Sequence, residues 1–181
     1  MTLRPGAGSL RIHISHPLGR STKAVRDFVD ALDGLGGGTV IVSHSAGFQL
    51  DQHWHARAGE MLRSAHWLLL VFGERSLDRD WWLWEAGYFA AINQNSMKRM
   101  VCLHHPDLNV PRTLHSWRTV PATTAQADSL LRELLDSQPG PSGRTLTSGI
   151  EGKGIRWLSE CLKQCAMPSA LEPAGDAVQA I

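Results

Sequence analysis

Apolar and polar positions along the chain follow two alternating periods. Short runs rich in branched and large apolar side chains, Arg11–Ser15 (RIHIS), Thr39–Ser43 (TVIVS), Trp67–Phe72 (WLLLVF) and Arg99–Leu103 (RMVCL), predict strands of about five residues. They are apolar enough to be covered on both faces. Trp117–Val120 is a weaker fifth. Between them the period lengthens to that of a helix. Val25, Phe28, Val29 and Leu32 form one stripe behind a Ser21 or Thr22 cap, and Gly34 and Gly36–Gly38 are expected to end that helix. A second helix runs from an Asp51 cap to about Ser64, and a third from an Asp78 or Asp80 cap over Trp81–Asn93. Thr124–Leu135 and Ile155–Gln164 supply a fourth and a fifth. Strands that alternate with helices imply βαβ units. The expected architecture is a flavodoxin-like three-layer α/β sandwich around a five-stranded, mostly parallel sheet. In such a sheet ligands sit beyond the carboxyl ends of the strands, which points to the loops beginning Ser15, Ser43, Gly73 and His104.

Length fits one domain, since 181 residues with 43% apolar side chains can bury a substantial core. Residues 1–10 and 167–181 are expected as tails, 11–137 as the main α/β domain, and 138–166 as a loop and a helix packed on or next to it. A formal net charge of +1 gives no field to recruit nucleic acid or an anionic membrane. The longest apolar stretch, Trp81–Ile92, contains Glu85 and is too short to span a bilayer. The N-terminus lacks the apolar core of a secretory signal, and three cysteines with no CxxC argue against a disulfide framework. A cytoplasmic location is the expectation.

The segment DWWLWEAGYFAAIN, Asp80–Asn93, carries one carboxylate among aromatic and small residues. Burying Glu85 unpaired costs several kcal/mol, so something must compensate it, and the nearby helix N-terminus offers partial positive charge. Trp81 and Glu85, four apart on a helix, share a face that Tyr88 and Phe89 continue. An acid at the base of an aromatic-walled cleft suits a flat cationic ligand such as a nicotinamide riboside. The competing reading turns Glu85 to solvent and leaves the tryptophans as plain core.

RIHISHPLGR, SAHWLLLVFGERS and DWWLWEAGYFAA together resemble a Toll/interleukin-1 receptor (TIR) domain of the microbial type, over about Arg11–Leu135. The family's W-x-x-x-E motif is met by Trp81–Glu85. The resemblance implies cleavage of the nicotinamide N-glycosidic bond of NAD+, taken as substrate rather than cofactor, to ADP-ribose or a cyclic product. It makes Glu85 the catalytic residue and places Trp81, Ser15, His16, Arg20 and Phe48 at the substrate, with no metal. It also implies a defence or signalling role and self-association through TIR surfaces, with any sensor or effector partner unidentified. One departure is the loop His44–Gln52 (HSAGFQLDQ), where the family has its BB-loop: Gly47 and Phe48 can form its turn, but the early acid is missing.

Other signals are weaker. His53 and His55 do not share a helical face, and no cysteine or carboxylate near them has metal-ligand spacing. The glycines at 34 and 36–38 follow a helix and precede a strand, the reverse of a phosphate-binding loop. Two further functions remain open at this level: a non-enzymatic module acting by homotypic TIR assembly, and an enzyme resembling nucleoside 2-deoxyribosyltransferases, which also use a glutamate on an N-glycosidic bond.

Overall fold

The computed structural model describes residues 9–16, 21–36, 39–44, 54–72, 79–94, 98–110, 112–137, 147, 150 and 152–167. Five strands, β1 (Leu10–Ser15), β2 (Val40–His44), β3 (Trp67–Phe72), β4 (Arg99–His104) and β5 (Arg118–Pro121), form one sheet in the order β2-β1-β3-β4-β5. Every pairing is parallel. The helices are α1 (Ser21–Gly36), α2 (Trp54–Ser64), α3 (Arg79–Ile92), α4 (Thr124–Asp136) and α5 (Gly152–Cys165). This is the flavodoxin-like α/β arrangement expected from the pattern. Chain order reverses between β1 and β3, the position at which such sheets open a crevice.

Two apolar layers sandwich the sheet, as the period of two along each strand requires. One joins Ile12 and Ile14 of β1, Leu69 and Val71 of β3, and Val101 and Leu103 of β4 to α1, α4 and α5. The other joins Leu68, Leu70 and Phe72 of β3 and Cys102 of β4 to Leu62 of α2 and to Trp82, Ala86 and Phe89 of α3. Ile155, Leu158, Leu162 and Cys165 dock α5 into the first layer beside α1 and α4, and the Ser159 hydroxyl reaches Asp128 Oδ1 on α4 at 3.1 Å. α2 and α3 approach tightly at Gly59, where an added Cβ would lie 3.0 Å from the Tyr88 hydroxyl oxygen.

α1 passes through Gly34 and ends at Gly36, inside the glycine run expected to stop it; glycine inside a helix costs only about 1 kcal/mol, less than the packing of the Phe28–Leu32 stripe returns. α3 begins at Arg79, so Asp80 lies within it, and the other expected cap, Asp78, lies outside the described residues. Thr123 caps α4, its hydroxyl accepting the Gln126 N–H. β1 opens at the buried Leu10, within the expected tail, while the rest of both tails lies largely outside the described residues. Among the described residues no helix is long and apolar enough to cross a membrane.

Candidate active site

β1 is an interior strand with unlike faces. Leu10, Ile12 and Ile14 enter the first apolar layer, whereas Arg11, His13 and Ser15 alternate with them toward the side of α2 and α3. The strand is covered on both faces as expected, but one of those faces carries polar side chains. His13 and Ser15 are fully buried, so their polar atoms need partners inside the protein. The partner is on α3. Glu85 is also fully buried, on the face that carries Trp82 and Phe89 into the second layer.

Ser15 Oγ donates a hydrogen bond to Glu85 Oε2, and His13 Nε2 lies 3.2 Å from Oε1. These contacts replace the compensation expected from the helix N-terminus. Glu85 sits beyond the first turn of α3, where the dipole has faded, and side-chain donors carry the carboxylate instead. His13 is held from its other side, with Nδ1 2.8 Å from Ser43 Oγ. Beside an ionised carboxylate, which only accepts, it is the tautomer with the proton on Nε2 that satisfies both contacts, Nδ1 then accepting from the Ser43 hydroxyl. Ser43 is also the register partner of His13 across the β1–β2 pairing. One polar chain thus runs from β2 through β1 to α3.

His16, just past β1, is buried, and its ring lies 5.7 Å from that of His44 at the end of β2. Burial pushes the His44 imidazole below its ordinary pKa; His13 and Arg26 push the same way and Asp30 opposes them. Trp81 stands one turn before Glu85 but packs between helices. Its ring lies 4.4 Å from Trp54 of α2 and 5.7 Å from Trp84, which stacks on Tyr88 at 5.4 Å. Trp54, Trp81, Trp84 and Tyr88 are all half-buried, so the cluster keeps part of its aromatic surface open.

Of the residues singled out from sequence, Glu85 and Ser15 are in direct contact, His16 adjoins Ser15 in the chain, and Trp81 is one helical turn away. Arg20 and Phe48 lie outside the described residues. The sequence marks Ser43 only as the start of a ligand-edge loop and does not single out His13, although polar residues alternating with Ile12 and Ile14 mark a polar face on β1. Among the described residues no three His, Cys, Asp or Glu side chains converge as metal ligands. No family model matches this chain, and no curated protein matches it.

Proposed function

We propose that the protein is a TIR-like NAD+ glycohydrolase, with Glu85 as its catalytic residue. The observation that carries this reading is a fully buried carboxylate, fixed by Ser15 and His13, at the carboxyl end of β1 beside the point where strand order reverses. Removing a carboxylate from water costs several kcal/mol even when it is paired, and an apolar residue would fill the same space more cheaply. A charge kept there is better explained by chemistry than by packing.

The chemistry follows from the charge. The bond between ribose C1′ and the pyridinium nitrogen breaks heterolytically, and nicotinamide leaves neutral with the bonding electron pair. The positive charge that develops on the ribose is met by the Glu85 carboxylate. Water then adds to C1′ and releases a proton, giving ADP-ribose; attack by an adenine nitrogen of the same molecule gives the cyclic product. The leaving group needs no strong acid. Ser15 hands its place on Oε2 to a ribose hydroxyl, and Trp81 in its half-open aromatic cluster offers a face to the pyridinium. His16, Arg20 and Phe48 border the remainder of the substrate. The reaction belongs to a cytoplasmic defence or signalling role, with activity rising on self-association.

The test is NAD+ consumption by purified protein over a range of concentrations, with nicotinamide, ADP-ribose and cyclic ADP-ribose separated chromatographically. Wild type should consume NAD+, and Glu85→Gln, which keeps the shape, should be slower by about a hundredfold or more. If NAD+ survives at every concentration, the reading is wrong. Self-association without turnover would then favour the interaction module, and base exchange on deoxynucleosides the transferase.

A further inference from the structure

We infer that His13, oriented by Ser43, is a positioning residue that anchors Glu85 Oε1 throughout the reaction, while Ser15 on Oε2 is the exchangeable partner. This rests on the glycohydrolase reading above and assigns different duties to the two donors. Ser15 is the last residue of β1, at the edge where a ligand arrives. His13 lies two residues deeper, about 6.6 Å back along the strand. His13 thus holds the carboxylate from deeper in the strand and Ser15 holds it from the strand's carboxyl end.

Three features make the deeper contact fixed. β1 is paired on both sides, His13 with Ser43 of β2 and Leu68 of β3, so its backbone has no freedom to drift. The imidazole has no solvent exposure. Its second nitrogen is engaged at 2.8 Å by Ser43, which selects the ring orientation that presents Nε2–H to Glu85. A ribose hydroxyl can replace Ser15 on Oε2 without disturbing that arrangement. Loss of the anchor leaves the acid free to change rotamer, and a displacement of about 1 Å at a reacting group costs about a hundredfold in rate.

The variants separate anchoring from packing. His13→Gln places an amide N–H near the position of Nε2 and should keep kcat within about threefold of wild type. His13→Asn retains a polar group toward Ser43 but is too short for Glu85. His13→Phe fills the space without a donor. Both should lose about tenfold to a hundredfold in kcat with KM little changed. Ser43→Ala should lose less, and adding it to His13→Phe should lose nothing more, since the two act as one unit. Should His13→Phe fail to fold, the Gln and Asn pair decides the matter. Equal rates for wild type and Asn, or equal losses for Gln and Asn, overturn the anchoring role and leave the glycohydrolase reading standing. A wild-type protein inactive toward NAD+ overturns both.

Discussion

His13 and Ser43 are register partners on adjacent parallel strands, and their side chains meet at 2.8 Å. In a parallel pair both side chains leave the sheet on the same side, so the contact follows from the register itself. Ser43→Ala leaves a buried ring nitrogen without its hydroxyl and should destabilise the fold by about 1 kcal/mol, with a Tm lower by several degrees. Urea denaturation with an unchanged slope is the measurement. A variant as stable as wild type would mean that the contact contributes nothing to folding.

A second histidine makes stability depend on pH. His66 Nδ1 accepts the Arg11 N–H at 3.0 Å, while the backbone of His66 bonds to Arg11 and Arg99 at the foot of the sheet. Burial lowers its pKa, and Lys98 and Arg11 lower it further. The folded state therefore binds fewer protons than the unfolded chain, so stability is fully present above the ordinary histidine value of about 6.5 and is lost as pH falls below it. His44, also lowered, acts in the same direction. Thermal melts from pH 7.5 to 5.5 should show a falling Tm. His66→Asn, whose side-chain oxygen can accept the same N–H without titrating, should flatten that slope.

The cysteines should differ in reactivity. Burial pushes the Cys102 thiol up to about 12 and raises that of Cys165, which is also fully buried. Cys161, half-buried on α5, is raised too, but remains the most accessible of the three. Iodoacetamide at pH 8 should modify native protein slowly and at Cys161 first, whereas urea-unfolded protein should react at all three. Peptide mass mapping reads the order directly, and early labelling of Cys102 would contradict the packing of β4.

The strands were legible because each is a short apolar run bounded by polar or turn residues, and all five occur within a residue or so of their expected places. Glu85 was legible for the converse reason: one carboxylate in an apolar helix has to be explained. Of its partners, Ser15 was legible from its place at the end of β1 and His13 was not. His13 lies in RIHIS, where the Ile12 and Ile14 face dominates the pattern and conceals that the opposite face is polar. The contact of Ser43 with His13 became visible only through strand register, a relationship across 30 residues that no local period encodes. The end of α1 was legible too: the helix stops at Gly36, inside the expected glycine run, having passed through Gly34 because packing outweighs the propensity cost of one glycine.

Gly59 sets the spacing of the aromatic cluster beside the proposed site. An alanine Cβ there would lie 3.0 Å from the Tyr88 hydroxyl oxygen and 3.3 Å from the ring carbon that bears it. Two effects oppose each other. Alanine favours the helix by about 1 kcal/mol over glycine, while the tyrosine must retreat by a few tenths of an ångström. Because the hydroxyl is the closer atom, Gly59→Ala alone should bring little or no stability, and Gly59→Ala with Tyr88→Phe should be more stable than Gly59→Ala. Tyr88 stacks on Trp84, and Trp84 neighbours Trp81, so the single variant should also shift the cluster. If Trp81 faces the pyridinium, KM for NAD+ should rise in Gly59→Ala and recover in the double variant while kcat, set at Glu85, stays nearly constant. A change in kcat with KM unmoved would separate the cluster from substrate binding and tie it to the acid instead.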